Sequence, residues 1–80
     1  MTNEDDAILD MVAHQARVAY VTHRLPTCEA AVRRWQQRVE QAATPIDFTH
    51  ARHELAYYTQ QVMRWRDYLA ELTHGDRHAA

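Results

Sequence analysis

Between Phe48 and Leu72 apolar residues return at Phe48, Ala51, Leu55, Tyr58, Val62, Trp65, Leu69 and Leu72, in steps of three and four without a slip. Only a helix places such residues on one stripe, because successive strand residues point to opposite faces. At 1.5 Å per residue the stripe is about 36 Å long. A helix of that length with one apolar seam needs another helix to cover it.

The rest of the chain supplies helices and little else. Gly75 is the only glycine, Pro26 and Pro45 are the only prolines, and thirteen alanines accompany many Gln, Glu, Arg and Leu residues. These residues favour helix, and the few breakers divide the chain. An N-terminal helix is expected over about 5–24, opening on Glu4, Asp5 and Asp6, whose charges suit a helix start. Ile8, Val12, Ala16, Ala19 and His23 share its strongest apolar face, with Leu9 and Tyr20 alongside. Met11, Val18 and Leu25 form a weaker stripe. Pro26 removes an amide and disfavours helical geometry at Leu25, so the helix kinks or breaks there, and a kinked continuation is preferred to a fold-back. A second helix, about 27–43, carries Cys28, Val32, Trp35, Val39 and Ala42. Thr44-Pro45-Ile46-Asp47 then starts a third over about 45–74, with Thr44 as cap and Pro45 in the first turn. Gly75 is expected to close that helix, and residues 76–80 to fray.

The expected architecture is all-α and a single domain over 1–80. An antiparallel hairpin is preceded by the N-terminal helix, a three-helix unit that dimerises into a bundle. Folding at Thr44-Pro45 sets Val39 near Ala51, Trp35 near Leu55, Val32 near Tyr58 and Cys28 near Val62. Trp65 reaches the level of Leu25 and Pro26. The same register brings Arg38 to Glu54 and Glu29 to Arg66. Phe48, Trp35, Tyr58 and Trp65 are read as core.

Composition excludes several functions. The net charge of −2 gives no basic face for nucleic acid. No stretch approaches the roughly 20 apolar residues of a membrane span, and the acidic start differs from a secretory signal. The single cysteine, Cys28, rules out an internal disulfide framework and suits a reducing cytoplasm. All nine basic residues are arginine, which fits the codon usage of a high-GC bacterium or its phage.

Chemistry is hard to find. Six histidines invite a metal reading, and His50, His53, Glu54, Glu71 and His74 offer helical spacings of three and four. Carboxylate-bridged metal bundles aim such ligands inward from facing helices. Here His53, Glu71 and His74 fall away from the seam. No metal or cofactor is expected. His23, on an apolar face, reads as a buried or interface histidine. No serine exists to act as nucleophile, and no glycine-rich loop exists to hold phosphate. The segment Asp5-Asp6-Ala7-Ile8-Leu9-Asp10-Met11-Val12 resembles the first helix of the all-α chorismate mutases, over about a dozen residues. That resemblance implies a small helical enzyme working as an intertwined dimer. Gln15 stands where the family's pattern places an arginine, and a later cationic position falls at or near Pro26.

The expectation is therefore a non-enzymatic protein–protein interaction module, homodimeric, with a protein partner and neither nucleic acid nor membrane. Its candidate interface comprises Ile8, Leu9, Met11, Val12, Tyr20, Ala56, Met63 and Tyr68. The first four lie where the N-terminal helix overhangs the hairpin. Ala56 and Met63, with Ala70, form a strip beside the seam.

Overall fold

The computed structural model describes the backbone of residues 2–79 and the side chains of residues 4–74. It contains two helices, α1 (Thr2–Gln41) and α2 (Pro45–Ala79), packed against each other as a hairpin. The expected three-helix unit is not formed. Of the alternatives at Pro26, the chain continues, and α1 passes through the proline as one helix.

The reason lies in the phase of the buried residues. Val18, Val21, Leu25, Cys28, Val32, Trp35, Val39 and Ala42 repeat in steps of three and four across Pro26, and each is buried or half-buried. A break would throw one half of this seam out of register with α2. Pro26 itself is exposed, as is Thr22, whose carbonyl loses its amide partner to the proline and can turn to water.

Continuity also reverses which face of the N-terminal half is inside. Of the stripe expected to be weaker, Val18 and Leu25 are in phase with Cys28 and half-buried, while Met11 is exposed. The stronger-looking face of Ile8, Val12, Ala16, Ala19 and His23 is exposed throughout, so His23 is neither buried nor part of a core. Val21, which belongs to neither expected stripe, is the one large side chain with no exposure at all.

The hairpin register follows expectation. Cys28 and Val62, assigned to the same level, are both buried, and so are Ala31 and Ala51. Arg66 donates to Glu29 at 2.7 Å, as the register requires. This pair is largely exposed and contributes well under about 1 kcal/mol. Arg38 does not reach Glu54; its guanidinium sits 5.5 Å from the Trp35 ring centroid. Trp65 does not fill space at Pro26 but meets Tyr20, with ring centroids 5.7 Å apart. Phe48 is not core: it is 42% exposed, with the Arg52 guanidinium 5.7 Å from its ring, and the seam of α2 starts one step later at Ala51. Trp35 and Tyr58 are half-buried.

At the turn, Asp47 N–H donates to Thr44 Oγ1 at 3.1 Å and Phe48 N–H to the Thr44 carbonyl at 3.0 Å, the expected cap. Such a cap contributes about 1 kcal/mol. α1 ends at Gln41, slightly before Ala43, with Ala42 N–H reaching back to the Val39 carbonyl. α2 does not stop at Gly75 but continues to Ala79, and no glycine among the described residues has positive φ. Ala80 lies outside the described residues.

The result is a rod of 65 × 20 × 14 Å with a radius of gyration of 18.5 Å. A compact chain of this length has about 12 Å. Its accessible surface is 6624 Å², against about 5000 Å² for a compact monomer of the same mass. Two helices cover one stripe each and nothing more.

Candidate interaction surface

Exposed large apolar side chains occur at both ends of the hairpin, Ile46, Phe48 and Tyr57 toward the turn and a group on α1 toward the free end. Ile8, Leu9, Met11 and Val12 are 53–65% exposed, although α2 runs past its expected end to Ala79. Leu9, Val12, Ala16 and Tyr20 fall at spacings of three, four and four, so they make one strip along α1.

That strip leads into a groove between the helices, about 710 Å³ in volume. Ala16, Arg17 and Tyr20 form one wall, and Gln61, Arg64, Trp65 and Tyr68 form the other. Its floor is an aromatic cluster: Tyr20 meets Trp65 edge-on, and Trp65 meets Tyr68 with centroids 6.3 Å apart at 65°. Rings prefer such tilted contacts because the edge of one faces the electron-rich face of the next. Trp65 is half-buried, while Tyr20 and Tyr68 are 59% and 37% exposed. The cluster is thus anchored by α1–α2 packing but offers its outer faces to solvent.

Of the eight candidate residues, the structure brings Tyr20 and Tyr68 together on one groove, which the Leu9–Val12–Ala16 strip approaches along α1. Met63 lies elsewhere. It lines the opposite side of the hairpin with Val32, Arg33 and the Glu29–Arg66 pair. Ala56, Met63 and Ala70 are all exposed, so they are not the back of the core. Arg17, Gln61, Arg64 and Trp65 line this groove as well and lie outside the eight candidates. The available signal was the three-residue spacing of Trp65 and Tyr68, which turns one edge of the α2 seam aromatic.

The His50 ring packs edge-on to Trp35 with centroids 5.5 Å apart, near the turn and far from the groove. Among the described residues, no group of three or more His, Cys, Asp or Glu side chains converges to hold a metal ion. Cys28 is buried beneath the seam. No helix among the described residues is long and apolar enough to cross a membrane.

Compared with known proteins, the chain matches no family model, no curated protein and no solved structure. The likeness to the chorismate mutases therefore rests on its dozen residues of α1 alone.

Proposed function

We propose that this chain is a non-enzymatic helical interaction module that binds another protein, and that it does so as a homodimer packed into a helical bundle. One observation carries the reading: a continuous exposed strip, from Leu9 through Val12 and Ala16 to Tyr20, that runs into the Tyr20–Trp65–Tyr68 groove. Tyrosine, tryptophan and arginine around an apolar centre are the residues that dominate binding at protein interfaces. The surplus of about 1600 Å² over a compact monomer is roughly twice what one partner of a standard-sized complex buries. Symmetric pairing of two copies is the commonest way to cover such a face. The buried lone Cys28 fits work in a reducing cytoplasm, and the all-arginine composition fits a bacterial or phage source.

Light scattering on the full chain tests the assembly. The expected mass is about twice the 9.4 kDa of one chain. A monomer persisting to high micromolar concentration contradicts the homodimer.

A further inference from the structure

We propose that the groove's occupant is the acidic first two turns of α1 from a second copy, the two α1 helices lying antiparallel about a two-fold axis near Val12 and Ala13. This mode rests on the interaction-module reading and specifies its partner.

Charge along α1 is segregated. Glu4, Asp5, Asp6 and Asp10 are all exposed, and the chain has no arginine or lysine before Arg17. Arg17 and Arg64 stand on the two walls of the groove. A parallel pairing of two α1 helices sets acid against acid. An antiparallel pairing sets the acidic turns against the arginines.

The apolar strip selects the same arrangement. Asp5, Leu9, Val12, Ala16 and Tyr20 recur at spacings of four, three, four and four, so Asp5 heads the strip that Tyr20 ends. Turned about a two-fold axis near Val12, the strip matches itself. Leu9 meets the partner's Ala16, Val12 meets the partner's Val12, and Asp5 arrives beside the partner's Tyr20 with Arg17 and Arg64 on either hand. Leu9 faces the small Ala16 on either side of the central Val12 pair, which lets the helices approach closely. The contact is isologous, so each copy gives one acidic arm and one groove, and the assembly closes at two. The overlap of about sixteen residues is roughly 24 Å long. The surplus surface of about 1600 Å² per chain exceeds the roughly 800 Å² that a stable partner buries.

Sedimentation velocity on two charge-reversed full-length variants tests this mode. One is Asp5→Lys with Asp6→Lys; the other is Arg17→Glu with Arg64→Glu. Each alone places like charges at both contacts, so its dimer dissociation constant rises at least tenfold. An equimolar mixture restores opposite charges at both contacts and yields a heterodimer with affinity near that of the unsubstituted chain. A mixture that stays monomeric overturns the proposal. So does either variant dimerising like the unsubstituted chain, although in that case the interaction-module reading survives. If the unsubstituted chain is itself monomeric, the homodimer falls with it.

Discussion

Replacing Val62 with aspartate unfolds the hairpin, whereas the same change one residue on, Met63→Asp, leaves it standing. Val62 is 7% exposed and lies level with buried Cys28, while Met63 is 60% exposed. The first substitution loses the burial of a valine, about 1.5–3 kcal/mol. It also leaves a carboxyl in an apolar seam without a partner, about 1–3 kcal/mol more by protein mutational data. A domain of this size has roughly 3–5 kcal/mol in total, so the helical signal in far-UV circular dichroism collapses. Met63→Asp alters a solvated position, and its effect on stability stays within about 0.5 kcal/mol. Equal damage from the two substitutions contradicts the assigned seam.

The second large effect has the opposite sign: Pro26→Ala stabilises the chain. Proline within a helix costs about 3 kcal/mol relative to alanine. Here it is exposed inside an otherwise uninterrupted α1, so its removal disturbs no packing. Alanine restores the amide that pairs with the Thr22 carbonyl. A shift of about 4–8 °C per kcal/mol for a domain this small puts the melting temperature more than roughly 10 °C higher. A lowered melting temperature contradicts the account, since it means that the α1–α2 contact needs a bend at Pro26.

The parts of this fold that were legible in the sequence are those governed by period and capping. The α2 seam, the Thr44 cap, the antiparallel register and the Glu29–Arg66 pair all follow from spacing, because two heptad seams joined by a short turn have few ways to meet. At Pro26 continuation was the preferred of two readings, and the chain does continue. The proline's local cost favours a break, and what outweighs it is the summed packing of Val18, Val21 and Leu25 with the residues beyond, a cooperative quantity that no local pattern displays. The same cause explains why the wrong face of the N-terminal half looked buried. Ile8, Val12 and Ala16 make the stronger amphipathic stripe taken alone, but the phase of α1 is set by its longer contact with α2. The candidate surface was half legible. Ile8, Leu9, Met11 and Val12 are exposed as expected, but not for the expected reason, since α2 runs on to Ala79. The groove required knowing that Tyr20 flanks the same edge as Trp65 and Tyr68, a fact of rotation about the helix axes.

An unbroken α1 underlies all of this, for it leaves the strip open and frames the groove. The direct test is a distance between spin labels at Asp10→Cys and Arg38→Cys, both exposed positions, in a Cys28→Ala background diluted with unlabelled protein. A continuous helix sets these positions about 42 Å apart. A reversal at Pro26 brings them into neighbouring helices, roughly 10–20 Å apart. A distribution centred near the longer distance is the expected result, and one centred at the shorter contradicts the account.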